Sequence, residues 1–190
     1  MLLSLHISRV MVTAVIAIMI IVSFYSTGNN YSYNLIGIPA ASAEPVPDEK
    51  GVVMFKYKQI KHRVYNPLIL ASWGLSYFTK YENTRDNKSK EYFINTANWL
   101  AANAKDKQGG KHSIWEYNFT WPWYYGVTPP YHSAYAQAVG IVVLAHAYDL
   151  TKNETYLDKA HNAFQALAVD YDRGGVMTMQ YKLFFVYVKW

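Results

Sequence analysis

No cysteine occurs in the 190 residues. That absence excludes a disulfide scaffold, a thiolate metal site and a cysteine nucleophile together. A glycine-rich dinucleotide loop is also missing, and the histidines at 62, 112, 132, 146 and 161 show no metal-ligand spacing. Charge is sparse: only 16% of residues are Asp, Glu, Lys or Arg, and none lies between Arg9 and Glu44. Apolar residues, at 52%, suffice for a core and exclude a disordered chain.

What the chain has in excess is aromatic. Its 18 tyrosines and six tryptophans exceed what core packing usually needs. The length suits one ordinary domain. The net charge of +5 is modest. Lys56, Lys58, Lys61 and Arg63 cluster early, and Lys105, Lys107 and Lys111 cluster later. A basic, aromatic surface suits an anionic polymer, whether nucleic acid, lipid headgroups or acidic polysaccharide. Simple solvation of the same lysines gives an identical count.

Val10 to Phe24 is apolar apart from Thr13 and Ser23 and is preceded by Arg9. As a helix this run reaches about 22 Å, against the roughly 30 Å of a hydrocarbon core. Two readings of residues 1–25 stand: an uncleaved signal anchor crossing the membrane through residues 10–25, or a signal peptide with Ala41-Ser42-Ala43 as a distant cleavage site. The positive charge before the run keeps that end in the cytoplasm. Both readings therefore place the remainder outside the cytoplasm, membrane-anchored or secreted. Residues 26–55, rich in Asn, Ser, Ala and Pro, read as a linker. Asn-x-Ser/Thr sequons occur at Asn30, Asn87, Asn118 and Asn153.

From residue 56 the chain repeats. Asn66-Pro67 is a helix start, and Ala71, Gly74, Leu75 and Phe78 follow helical spacing. A polar turn from Asn83 to Asn87 leads to a second helix with Phe93, Ala97, Leu100 and Ala104 on one face, closed by Gly109-Gly110. A second unit follows Pro129-Pro130. Its first helix runs from about Ser133 to Leu150 with Ala134, Ala138, Ile141, Val142, Ala145 and Tyr148 on its apolar face. Asn153 caps the next helix, which bears Tyr156 or Leu157, Ala160, Phe164, Leu167 and Ala168, and Gly174-Gly175 closes the unit. The markers recur at nearly constant spacing, which argues for a duplicated unit. Units of this type build α/α barrels from about six hairpins. The expected fold is therefore all-α: a partial α/α toroid over residues 56–190 with short β-hairpin or loop inserts, preceded by an N-terminal hydrophobic helix.

Between the units, nine aromatic residues fall from Trp115 to Tyr135. Flat rings with polar handles suit the faces of sugar rings. A hydrophobic plug accounts for the same composition. Trp115, Trp121, Trp123, Tyr124, Tyr131 and Gln137 are the candidate substrate-binding residues.

Asn66-Pro67-Leu68-Ile69-Leu70-Ala71-Ser72-Trp73-Gly74-Leu75, Pro129-Pro130-Tyr131-His132-Ser133-Ala134-Tyr135-Ala136-Gln137, Leu150 to Leu157 and Gly174-Gly175-Val176 resemble the C-terminal domain of D-glucuronyl C5-epimerases. The resemblance covers about residues 60–176 and departs from the family at Tyr131, Tyr135 and Ala138. It implies conversion of D-glucuronate to L-iduronate in a heparan-type or other acidic polysaccharide. No cofactor, no metal and no nucleic-acid partner is implied, and the oligomeric state is left open. The chemistry needs two acid/base groups on opposite faces of C5 and cations for the dianionic, enolate-like state. The family's Trp-Tyr-Glu-Glu-Tyr-Pro segment after the second Gly-Gly-Val has no counterpart, since Met177-Thr178-Met179-Gln180-Tyr181-Lys182 stands there. Glu116, Tyr117 and Tyr181 are the remaining catalytic candidates. The expected function is an epimerase-like domain whose activity alone is in question. The alternatives are a non-catalytic, membrane-anchored glycan-binding module and a truncated product. A glycosidase needs two placed carboxylates, and Glu116 is the one acid of the aromatic loop.

Overall fold

A computed structural model describes residues 43–120, 127–180 and 183–185. The chain divides into two compact units, Met1–Ala43 and Glu44–Trp190. The second is described below. The N-terminal hydrophobic helix expected over residues 10–25 lies outside the described residues. Among the described residues, no helix is long and apolar enough to cross a membrane.

Two helical hairpins form the frame. Helix α1 (Pro67–Thr84) packs on α2 (Asn87–Asn103), and α3 (Ala134–Thr151) packs on α4 (Glu154–Gln165). Contacts of α1 and α2 with α3 join the hairpins. The sequence sets the boundaries through its caps. Asn66 accepts from the Ile69 N–H and Pro67 opens α1, while Ser133 accepts from the Ala136 N–H to open α3, 67 residues later. Both helices end on a left-handed residue: Arg85 (φ 55°) donates its N–H to the Tyr81 carbonyl, and Lys152 (φ 57°) to that of Tyr148. The new helices start at once, from Asp86 and Asn153. Even the side chains repeat: Arg85 lies over the Tyr81 ring at 5.3 Å and Lys152 over Tyr148 at 5.2 Å. Equivalent caps, turns and cation–π pairs at a constant offset show the duplication at the level of atoms.

The all-α expectation is corrected. Eight short strands accompany the helices among the described residues, each in a two-stranded sheet. Strands β1 (Ala43–Pro47) and β2 (Val53–Tyr57) pair within and beside the span read as linker. The antiparallel pairs β3 (Lys105–Lys107) with β4 (His112–Ile114), β5 (Glu116–Tyr117) with β6 (Tyr131–His132), and β7 (Thr178–Gln180) with β8 (Leu183–Phe185) follow. The architecture is mixed, helical hairpins with small antiparallel sheets. Helical periodicity cannot reveal strands of two to five residues, because alternation over so few positions is no pattern. Their stability comes from packing: Val52, Val53, Phe55 and Tyr57 are all buried.

Helix α3 is the most enclosed of the four α-helices. Ala136, Val139, Ile141, Val142, Val143, Leu144 and Ala147 are buried, so burial is not confined to one stripe. Ala138, Ala145 and Tyr148, expected on its buried face, are only partly covered. A helix apolar all round is a central helix. Gly140 lets it approach Trp115, whose ring would lie 2.6 Å from a Cβ at that position. On α4, Tyr156 rather than Leu157 faces inward, the latter being 38% exposed.

Candidate functional site

The β5–β6 hairpin has two chemically distinct faces. Its register sets Glu116 opposite His132 and Tyr117 opposite Tyr131. Since side chains alternate along a strand, each pair occupies its own face.

On the polar face, the Lys107 ammonium lies 2.6 Å from the Glu116 carboxylate. His132 Nε2 bonds the Gly175 carbonyl at 2.5 Å, and His112 Nε2 bonds the Gly174 carbonyl at 3.0 Å. A carbonyl only accepts, so both imidazoles donate through Nε2. The Tyr171 ring stacks on His132 with centroids 4.2 Å apart. Burial holds the His132 pKa below its ordinary value, against the opposing pull of the Gly175 hydrogen bond and Glu116. The two histidines thus tie the second Gly-Gly turn to β4 and β6, a role their sequence spacing did not disclose.

The apolar face carries a tyrosine cluster. Tyr117 stacks on Tyr131 (4.8 Å between centroids, 13° between planes), and Phe119 stacks on Tyr57 at 5.6 Å. Asn66 Nδ2 donates to the Tyr57 hydroxyl at 2.9 Å. Burial pushes the Tyr57 pKa up to about 12, with the Asn66 bond opposing it. Tyr117 and Tyr131 are raised as well, again chiefly by burial. All three phenols are therefore neutral at physiological pH and suit proton donation, not service as phenolate bases. The Tyr131 hydroxyl is buried with no hydrogen-bond partner among the described residues.

Of the substrate-binding candidates, Trp115 and Gln137 lie in the core. Trp115 is 1% exposed, and its indole donates to the Leu100 carbonyl at 2.9 Å. It is a packing residue of α3 and not a surface platform. Gln137 is fully buried and donates to the carbonyls of Ser113 (2.7 Å) and Ala163 (2.9 Å). Its amide braces α3 against β4 and α4. Tyr131 is half-buried in the tyrosine cluster. Of the catalytic candidates, Glu116 is ion-paired and Tyr117 is buried. Trp121, Trp123, Tyr124 and Tyr181 lie outside the described residues.

Glu116 also borders a cleft of about 310 Å³, within the size range of small-molecule sites. Tyr65 and Trp99 supply aromatic walls, their ring centroids 5.1 Å apart. His62, Arg63 and Lys105 supply cationic groups, and Glu116 is the one carboxylate among the lining residues. The fold thus brings a member of each basic cluster, Arg63 and Lys105, to one opening. Tyr65 donates to Asp48 Oδ2 at 2.8 Å. Burial and the adjacent Asp48 carboxylate push its pKa up to about 12. Sequence reasoning missed Tyr65 and Trp99 because both stand alone, away from the aromatic loop.

Residues 108–189 match the family described as D-glucuronyl C5-epimerase C-terminus, the family that the sequence resembles. The match includes Pro129–Gln137 and Gly174–Val176, whereas the Asn66–Leu75 segment precedes it. An uncharacterized protein of Methanocaldococcus jannaschii is 31% identical over 90 residues, covering 47% of this chain and 29% of that protein. The chain therefore spans less than a third of that relative's length. No solved structure matches the chain.

Proposed function

We propose that this chain, with residues 108–189 in the D-glucuronyl C5-epimerase C-terminal family, is an epimerase-like domain that holds a uronate-bearing polysaccharide. The family match carries the reading. The cleft beside Glu116 supports it chemically. Tyr65 and Trp99 offer flat faces for pyranose C–H groups, and Arg63, His62 and Lys105 offer positive charge for a uronate carboxylate. The same cations would stabilise the dianionic state formed when a proton leaves C5.

A second reading, turnover by this chain, rests on Glu116 as the carboxylate of that cleft. In it, Glu116, ion-paired with the Lys107 ammonium, takes the C5 proton. The tyrosine hydroxyls remain protonated, so a return proton on the opposite face comes from a neutral donor. Attachment to a membrane through residues 10–25 and an extracytoplasmic location belong to this proposal as well.

Calorimetric titration of the purified chain with a glucuronate-containing polymer in heavy water tests both readings. Saturable binding that is absent with a neutral polymer is expected, and its absence would overturn the proposal. Deuterium at C5 of the recovered polymer establishes turnover. Binding without deuterium restricts the chain to glycan recognition.

A further inference from the structure

Beside the Glu116 cleft lies a larger groove of about 800 Å³. It shares Met54, Arg63, Tyr65, Trp99 and Asn103 with the cleft, so the two openings adjoin along these five residues. One wall is the outer face of α2. Asn95, Asn98, Trp99 and Ala102 recur at helical spacing and line the groove. The opposite face of the same helix, Phe93, Ala97 and Leu100, is in the core.

The groove's chemistry is particular. The Trp99 indole lies between two carboxamides on an exposed helix face. Asn95 Nδ2 donates to the Lys50 carbonyl at 2.9 Å, and Asn98 Oδ1 accepts from the Tyr156 hydroxyl at 2.7 Å. The Asn95 oxygen and the Asn98 amino group are therefore the ends offered to sugar hydroxyls. Lys50 stands at one rim and Arg63 at the junction with the cleft, both exposed, and no carboxylate among the described residues pairs with either. The Asp48 carboxylate in the wall is already occupied. Its Oδ1 accepts from the N–H groups of Lys50 and Val52, each at 2.9 Å, and its Oδ2 accepts from Tyr65. The groove therefore presents two cations, Lys50 and Arg63, one exposed carboxylate, Glu49, and the Tyr65 and Trp99 rings, while the Asp48 carboxylate is turned to holding the loop.

We infer that this groove is a second saccharide subsite, which binds the units of an anionic glycan adjoining the one seated at Glu116. Arg63 spans the boundary between the two, and its fork-shaped guanidinium suits a carboxylate or sulfate on either side. The polymer runs from the Glu116 cleft over Tyr65 and Trp99 along α2 toward Lys50. This inference rests on the proposed function and adds direction and length to it. Chain-length selectivity is the consequence: a longer oligosaccharide fills both openings, a short one only the first.

The test is titration with glucuronate-containing disaccharides and hexasaccharides. The wild-type chain should bind the hexasaccharide at least tenfold more tightly. Ala102→Trp obstructs the groove from an exposed helix position and should abolish that gain while leaving disaccharide affinity unchanged. Lys50→Glu changes only an exposed charge and should weaken hexasaccharide binding alone, more so at low salt. Equal affinity for both lengths in the wild type overturns the subsite and leaves the proposed function standing. So does a length gain that survives in both variants. Failure of the wild type to bind either oligosaccharide removes the proposed function, and the subsite with it.

Discussion

Gln137 offers the sharpest separation of a structural role from a binding role. Its side chain lies wholly inside the protein, joining α3 to the Ser113 carbonyl of β4 and the Ala163 carbonyl near the end of α4. Its Oε1 faces the Trp115 N–H at 3.4 Å, a much weaker contact. Gln137→Met preserves length and approximate volume, so little cavity is created. What it removes is two short amide hydrogen bonds. Buried groups left unpaired cost about 1–3 kcal/mol each. The Ala163 carbonyl keeps the N–H of Ala166, so its share falls at the low end. The loss should be about 3 kcal/mol, which for a chain of this size lowers the melting temperature by about 6–12 °C. Thermal unfolding followed by circular dichroism measures the shift, and glycan titration well below the transition measures binding. The expected result is a destabilised protein with unchanged affinity per folded molecule. A variant that melts like the wild type but has lost glycan binding would refute the brace and return Gln137 to the substrate.

Other outcomes follow from the packing and the shifted groups. Gly140→Ala places a methyl against the Trp115 ring and should cost about 1–3 kcal/mol, measurable by urea unfolding. Combined with Trp115→Phe, the loss should fall clearly short of the sum of the single changes, because one substitution relieves the crowding caused by the other. Burial lowers the pKa of both His132 and His146. The unfolded chain then takes up protons first as pH falls below about 6.5, so stability should decline through that range, and a flat stability profile from pH 7 to 5 would contradict it. Tyr57 and Tyr65 are raised to about 12, so the unfolded chain ionises first on the alkaline side. Stability should fall from about pH 10 upward, and ultraviolet titration of the folded protein should show part of the tyrosine absorbance change delayed beyond pH 11.

The residues that bound the helices could be read directly because caps act over three or four positions. Asn66 with Pro67, Ser133, and Asn153 each satisfy N–H groups within one turn of themselves, so their effect is local. The duplication was legible because markers such as Gly109-Gly110 and Gly174-Gly175 recur at a nearly constant spacing, and the structure adds the matching helix ends at Arg85 and Lys152. The Gly-Gly pairs and the cap spacing therefore carry nearly all of the hairpin plan.

What the linear chain could not display is partnership over distance. Trp115 and Gln137 belong to stretches that look like a sugar-binding mouth, yet the Leu100 carbonyl and the Ser113 and Ala163 carbonyls claim them. Conversely, Trp99 looks like one more helix residue until β2 and the loop bearing Arg63 and Tyr65 come up beside it. The short strands were hidden too, since a pair such as Glu116↔His132 is stabilised across 16 residues rather than along them. Composition by itself determined a cysteine-free, aromatic, basic chain, and residue order determined its capped and duplicated helical hairpins. Tertiary structure alone decided which of its many rings are core and which face solvent, because burial depends on the partner that arrives from elsewhere in the chain.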